Sequence, residues 1–435
     1  MHSSSATALA DPQSAQDAGM LQRFRDVRAF SEYLCAPLET EDYVVQPMAD
    51  ASPMKWHLAH TTWFFETFIL VPHAPGYEVL HPEYAYLFNS YYNTLGAQFS
   101  RPDRGLITRP TVRQTLEYRR YVNEHLERFL EGEPPEEVLS LVEVGLHHEQ
   151  QHQELMVTDL KYLLSRNPLF PVYRPATEPA AGEPADLEWH PHEEGLRHLG
   201  FDGEGFAFDN EGPRHRVFVE SFEIASRLVT NGEFLEFMGD GGYERAAPWL
   251  SDGWSTVQAE GWRAPLYWFE IDGEWQHFTL AGLRPVDPRE PVCHVSFYEA
   301  DAFARWAGAR LPGEAEWELT CTGGQAPVVE GANFVDTGRF HPTPGAFSPT
   351  LGGPPAQLLG DVWEWTSSPY GCYPGYQPPP GALGEYNAKF MSSQMILRGG
   401  SCATSASHIR PTYRNFFQPE KRWQMTGLRL ARDLR

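Results

Sequence analysis

Between Pro171 and Asp186 the chain reads PVYRPATEPAAGEPAD, too rich in proline to continue a helix, and the residues on its two sides follow different periods. Before it, from about Leu21 to Leu164, apolar residues return at helical spacing, as in LEYRRYVNEHLERFL and EEVLSLVEVGLHHEQQHQELMVTDLKYLLS. Leu139, Val142, Leu146, Met156 and Leu163 mark the longest of these helices, and Pro134 and Pro135 precede its start. After the proline-rich stretch, short β-prone runs such as HRVFVESFEIA lie between Gly, Pro and Asp clusters. Two helical segments stand out there: TNGEFLEFM, with Thr230 as cap and Glu233 three residues on, and FYEADAFARWAGA. The expected organisation is a loose tail over residues 1–20, a helical bundle over 21–170, a linker over 171–186 and an α+β domain over 187–435. A chain of 435 residues suits two or three domains at ~100–200 residues each.

Charge narrows the function classes. Against 58 Asp+Glu there are 34 Lys+Arg, a net charge of −24 that repels nucleic-acid backbones and anionic membrane surfaces. Neither partner is expected. The five cysteines (Cys35, Cys293, Cys321, Cys372, Cys402) are scattered and form no CxxC pair, which argues against a disulfide framework and a thiolate zinc site. The N-terminal segment has no basic and then apolar signal pattern, and the most apolar run, WFFETFILV, is broken by Glu66, so a cytoplasmic protein is expected.

In HHEQQHQE, His148 and His152 are four apart on a helical segment, so their imidazoles leave one face at a spacing that suits two ligands of one metal. The letters also match HExxH through Glu149, the pattern of zinc proteases, although no third ligand of that class follows closely. A pair of solvated surface histidines has the same spacing. A second cluster, KWHLAHTTWFFE, places His57 and His60 on an earlier helix, and helical bundles build metal sites from facing helices. One histidine from this helix with His148 and His152 makes three neutral ligands. Such a centre keeps open positions and the metal's full dipositive charge, which suits an anionic thiolate and dioxygen. His60, among the aromatics, is the preferred third ligand, with His57 a packed or supporting group.

PMKWHLAHTTWFFETFIL together with HHEQQHQE resembles the DinB-like domain of ergothioneine-type sulfoxide synthases, nonheme iron enzymes that join a thiol to a histidine derivative. In the second half, VTNGEFLEFM, PVCHVSFYEADAFARWAGARLPGEAEWE, GDVWEWTSS, LRGGS and TGLRLAR are similar, in order, to motifs of formylglycine-generating enzymes and their relatives. The two resemblances span nearly the whole chain. They imply a DinB-like four-helix bundle joined to an α+β C-type-lectin-like domain, with the active site in the cleft between them.

The resemblance further implies iron(II) held by His60, His148 and His152, hercynine (trimethylhistidine) as acceptor, and dioxygen as oxidant. Gln151 matches a residue that contacts hercynine. In RNFF, Asn415 and Phe416 match the groups around its carboxylate and quaternary ammonium, which an amide and an aromatic face suit chemically. The next position, Phe417, stands where members that use γ-glutamylcysteine carry an Asp, which favours free cysteine as sulfur donor. Arg101 and Arg104 of RPDR match an arginine pair that binds the donor's carboxylate, with Arg422 as a further candidate. Tyr91 or Tyr92 of NSYYNTLG is expected to donate a proton in the oxygen chemistry, and Tyr376 of YGCYPGYQPPP is the rival.

A copper-dependent oxidation of a peptide cysteine, the activity of formylglycine-generating enzymes, needs a cysteine pair where SCATSASHIRPTYRN holds only Cys402. Trp363 and Trp365 of GDVWEWT are then expected in the core. The remaining alternatives are ovothiol-type joining of cysteine to histidine, a zinc or other metal-dependent DinB thiol transferase, and a noncatalytic lectin-like binding module.

Overall fold

A computed structural model describes residues 19–176, 184–323, 329, 331–345 and 355–434. Most of the expected tail, and residues 177–183 of the expected linker, lie outside the described residues. The chain divides into two compact units. One runs up to Leu163 and takes in Ser405–His408, and the other comprises Leu164–Thr404 and Ile409–Arg435.

The first unit is helical. Its helices are α1 (Met20–Cys35), α2 (Met54–Phe65), the short α3 (Tyr84–Phe88), α4 (Val112–Glu131) and α5 (Glu136–Ser165). Helix α4 begins at a capping box in which Thr111 and Gln114 exchange side-chain to backbone hydrogen bonds. It buries one stripe, Thr115, Tyr118, Arg119, Val122, Leu126 and Leu130. Helix α2 differs, since all 12 of its residues are buried, as for a helix enclosed on every side. It continues through a π turn, Glu66–Leu70, and a last turn to His73. Glu66, the charge that interrupts the apolar run, is buried there and accepts hydrogen bonds from Tyr77 (2.6 Å) and Tyr118 (2.5 Å). Helix α5 comes close to α2 at Gly145, where a Cβ would lie 2.5 Å from the Phe65 ring. That approach brings the face carrying His148 and His152 up to α2.

The second unit is built from short strands and long loops. Strands β1 (Trp189–His192), β4 (Phe222–Ala225) and β12 (Ala431–Asp433) form an antiparallel sheet, while β2 (Gly195–Leu199) and β3 (His215–Val219) make a hairpin. Strands β5 (Trp268–Ile271), β6 (Glu274–Thr279) and β7 (Gly282–Pro285) form a meander. The fourth sheet has the order β10-β9-β8-β11, from β8 (Trp363–Pro369), β9 (Met395–Arg398), β10 (Asn415–Phe417) and β11 (Thr426–Gly427), with β11 parallel to β8.

Helices α6 (Asn231–Gly239) and α8 (Phe297–Trp306) are the two read from sequence, capped by Thr230 and Ser296. Two more, α7 (Ser251–Glu260) and α9 (Glu314–Thr322), were not legible. Gly253, Ser255 and Thr256 in α7, and Thr320, Cys321 and Thr322 in α9, have weak helix propensity, so tertiary packing decides these segments. Trp363 and Trp365 are core residues, each at most 1% exposed.

Much of this unit is loop, and ion pairs, each with a buried carboxylate, tie loops and strands to one another and to α9. Arg398 pairs with Glu318, Arg414 with Glu314 (2.7 Å), Arg429 with Glu364 (2.9 Å) and Arg410 with Glu211 (2.5 Å). Their guanidinium forks also bond carbonyls, including Tyr413 from Arg398 and Ala225 and Ala356 from Arg429. All five cysteines are free thiols. No described helix is long and apolar enough to cross a membrane.

Candidate metal centre

His60 on α2 and His148 and His152 on α5 bring one ring nitrogen each to within 4.8 Å of one another. All three are buried. The Nε2 atoms of His60 and His148 are 3.2 Å apart, and two nitrogens each ~2.1 Å from one ion are separated by about that much.

Hydrogen bonds fix two of the tautomers. His60 Nδ1 lies 2.5 Å from the carbonyl oxygen of Phe88, at the end of α3, and a carbonyl only accepts. The proton is therefore on Nδ1 and the Nε2 lone pair is free of it. His57, one turn before His60, places Nε2 3.1 Å from Asp159 Oδ2 and Nδ1 2.8 Å from His152 Nδ1. Asp159 also accepts the backbone N–H of Ser52 at 2.9 Å, so it is held as a fixed acceptor. The carboxylate accepts a hydrogen bond from His57 Nε2–H, His57 Nδ1 accepts from His152 Nδ1–H, and His152 Nε2 keeps its lone pair. Burial holds the three site histidines neutral: the imidazolium of His148 forms only near about 3, and those of His60 and His152 are pushed well down. Three neutral imidazoles, two of them held in orientation by hydrogen bonds, are a donor set that fits a divalent transition metal.

Glu149, the acid of the HExxH letters, does not face this site as a base. Its carboxylate is 1% exposed and accepts from Arg28 (2.7 Å), Ser31 (2.6 Å) and Arg119 (2.6 Å). The two guanidinium groups outweigh burial and lower its pKa to about 2. It is a structural anion joining α1, α4 and α5, and the zinc-protease reading loses its proton acceptor.

Aromatic rings line α2 beside the site. Trp56, His60 and Trp63 form a stripe in which the His60 ring stacks on Trp56 (4.5 Å, 11°) and Trp63 (5.5 Å, 18°). The guanidinium carbon of Arg104 lies 3.4 Å from the centre of the same Trp56 ring. Arg104 is buried and donates to Ser52 Oγ (2.9 Å) and Ser90 Oγ (3.1 Å), yet no carboxylate among the described residues pairs with it. Burial and the neighbouring Arg101 press its pKa down, opposed by the charges of Asp159 and Tyr91. Arg101 is exposed and donates to the carbonyl of Asp50.

Tyr92 is fully buried against Trp63 and Phe68, and Tyr91 stacks on it at 4.8 Å. Burial raises the Tyr91 pKa, opposed by a hydrogen bond with Tyr92 and by Arg101 and Arg104. Gln151 is half-buried on α5 between the two helix histidines.

Asn415, Phe416 and Arg422 belong to the second unit. Asn415 Oδ1 accepts the Phe416 N–H (2.9 Å), and Tyr370 stacks on the Phe416 ring at 4.0 Å. Arg422 is engaged with Glu299 (2.8 Å), the carbonyl of Ala264 and the face of Trp262. Tyr376 donates to Asp209 Oδ2 at 2.5 Å. Sequence reasoning missed Asp159 and Phe88. Asp159 lies two helical turns beyond His152, and that i, i+7 spacing was the available signal. A backbone carbonyl such as that of Phe88 leaves no trace in a sequence.

A buried trio of neutral histidines in a helical bundle, followed by a loop-rich α+β unit, defines a two-part protein of the DinB and sulfatase-modifying-factor type. Residues 23–156 match the DinB superfamily and residues 193–434 the sulfatase-modifying factor enzyme 1-like domain. The chain is 33% identical over 410 residues to the hercynine oxygenase of Mycolicibacterium smegmatis, covering 88% of this chain and 91% of the relative. It is 33% identical over 414 residues to that of Mycolicibacterium thermoresistibile, covering 88% of each. Ergothioneine biosynthesis protein 1 of Schizosaccharomyces pombe is 30% identical over 241 residues, covering 52% of this chain and 28% of that one. The chain belongs to the hercynine oxygenase family of ergothioneine-biosynthesis sulfoxide synthases.

Proposed function

We propose that this chain is a cytoplasmic, iron(II)-dependent sulfoxide synthase that joins cysteine to hercynine with dioxygen. Overall, the thiol S–H and an imidazole C–H are lost, a C–S bond forms, one oxygen atom goes to sulfur and the other leaves as water. The observation that carries this reading is the convergence of the His60, His148 and His152 nitrogens, two of them with tautomers set from outside the site. Bound there, iron(II) supplies a dipositive centre for the thiolate and for oxygen activation.

The protein groups do the positioning. Phe88 and the His57–Asp159 pair hold the ligand rings in the orientation a metal needs. Arg104, desolvated and in no carboxylate ion pair among the described residues, binds the carboxylate of cysteine, helped by Arg101. Gln151 and Asn415 orient hercynine through hydrogen bonds, and the uncovered part of Phe416 meets its trimethylammonium group. Phe417 packs against Trp423 (5.8 Å) and offers no anion to the amine of a glutamyl donor, which supports cysteine over γ-glutamylcysteine. Tyr91 or Tyr92 delivers a proton to reduced oxygen. Tyr376, bound to Asp209, and Arg422, bound to Glu299, are the less suited members of the candidate set.

The test is mass spectrometry of products after anaerobic iron loading and aerobic incubation with hercynine or histidine, each paired with cysteine or γ-glutamylcysteine. Hercynine with cysteine is expected to give the sulfoxide at the highest kcat/KM. A preference for histidine as acceptor, or for the glutamyl dipeptide as donor, overturns the assignment.

A further inference from the structure

The second unit holds another convergence of ligand side chains. One ring nitrogen each from His277 and His341 and a carboxylate oxygen from Glu290 lie within 4.8 Å of one another. They come from three segments: His277 from β6, Glu290 from the loop after β7, and His341 from a loop that follows Phe340. His277 and Glu290 are each 5% exposed, and His341 Nε2 lies 3.0 Å from Glu290 Oε2.

The backbone holds His341 in place. Its carbonyl accepts from Asn333 Nδ2 at 2.8 Å, and the same amide group donates to the buried Asp361 at 2.7 Å. Phe340, just before it, is buried in a left-handed conformation at φ 51°, unfavourable for a phenylalanine and maintained by its surroundings.

A cation already faces these ligands. Arg284 donates from Nε to His277 Nε2 (3.0 Å) and from a terminal nitrogen to Glu290 Oε1 (2.5 Å). Because arginine has donors only, His277 Nε2 must present its lone pair toward that positive charge. An imidazole lone pair and a carboxylate aimed at one cation are two-thirds of a metal site. The Arg284 side chain is 33% exposed, so it can move into solvent, whereas its partners are fixed.

We infer that His277, Glu290 and His341 bind a divalent transition metal, zinc(II) by the character of the donors, and that Arg284 occupies the cation position until the metal displaces it. Two histidines and a glutamate are an established zinc donor set, and the carboxylate halves the charge of the ion in a way the trio of histidines does not. On binding, the proton that His341 Nε2 shares with Glu290 moves to the other ring nitrogen or is released. The metal then ties β6 to the loop that carries His341.

The test is zinc(II) titration of the full chain after chelator stripping, counting bound metal and measuring affinity against a chromophoric chelator. Wild type should hold one equivalent more than His341→Ala and Glu290→Gln, whatever the other centre retains. Arg284→Met, which removes the competing charge, should bind this equivalent ~10-fold or more tighter. Cobalt(II) should give, beyond the absorption of the other centre, a further ligand-field component in wild type and Arg284→Met that is missing from His341→Ala. Equal stoichiometry in wild type and His341→Ala overturns the proposal. If His341→Ala does not fold, Arg284→Met decides alone, and an unchanged affinity overturns it.

Discussion

His152 leans on a second histidine: its Nδ1 lies 2.8 Å from Nδ1 of His57, and only through His57 does it reach the carboxylate of Asp159. The His152 tautomer is thus set at one remove. His57→Phe should leave the ring volume filled while removing the acceptor for the His152 proton, and iron(II) affinity should fall ~10- to 100-fold. Asp159→Asn should do less, because its amide oxygen can still accept from both His57 and Ser52. Replacing His60, His148 or His152 by Ala should abolish iron retention. Competition titration with a ferrous chelator ranks these variants, and wild-type affinity in His57→Phe would remove the relay from the account.

Arg104 offers a separate handle on the sulfur donor. Arg104→Met should raise KM for cysteine about 10- to 100-fold with iron content unchanged, the loss of a charge-assisted hydrogen bond. Cysteamine, which lacks the carboxylate, supplies the control. The preference of wild type for cysteine over cysteamine should disappear in the variant, and its survival would place the carboxylate elsewhere.

For the proton donor, Tyr91→Phe, Tyr92→Phe and Tyr376→Phe form a set. Loss of the right phenol should slow sulfoxide formation ~100- to 10,000-fold without loss of iron. Cysteine sulfinic acid should then appear, since the bound thiolate becomes the group most easily oxidised. The sulfoxide-to-sulfinate ratio separates the three. A change confined to Tyr376→Phe would move the acid to the second unit.

Glu149 predicts a pH signature of the fold itself. Its carboxyl is held at about 2, below an ordinary value of 4.5. Its stabilising contribution is complete above 4.5 and is lost as pH falls from there toward 2, because only the unfolded chain takes up the proton in that window. Glu149→Gln leaves Arg28 and Arg119 buried without their anion and should cost about 3–5 kcal/mol. Its melting temperature should also vary less with pH between 4.5 and 2 than that of wild type. Thermal melts across that range check both parts.

The helical half was legible because burial imposes a period, and His148 and His152 lie within that period. The second half was legible mainly as motifs. Helices α7 and α9 have little propensity of their own, and the Arg–Glu pairs join residues that sequence separates widely, Arg410 from Glu211 for example. Ser405–His408 likewise gives no local sign that it clusters with the helical unit, where His408 Nδ1 lies 2.8 Å from His147 Nδ1. Spacing could nominate His57 or His60 as the third ligand. Only the positions of Phe88 and Asp159 separate their places, the His60 ring facing His148 and the His57 ring lying between His152 and Asp159.

The π turn at Glu66–Leu70 acts as a phase shifter within its helix. Its Val71 N–H reaches back five residues to the Glu66 carbonyl, so everything after it is rotated by about 100° from where an unbroken α-helix would put it. On one continuous rod, His57 and His60 thus face His152 and His148 of α5, Phe68 within the turn meets Tyr92, and Val71–His73 carry the offset. Deleting a single residue from this turn would leave a more regular helix whose last turn, Val71–His73, points in a different direction. Residue count in this turn therefore sets the direction of the chain that leaves it, and a one-residue deletion should perturb the helix end more than a substitution that keeps the count.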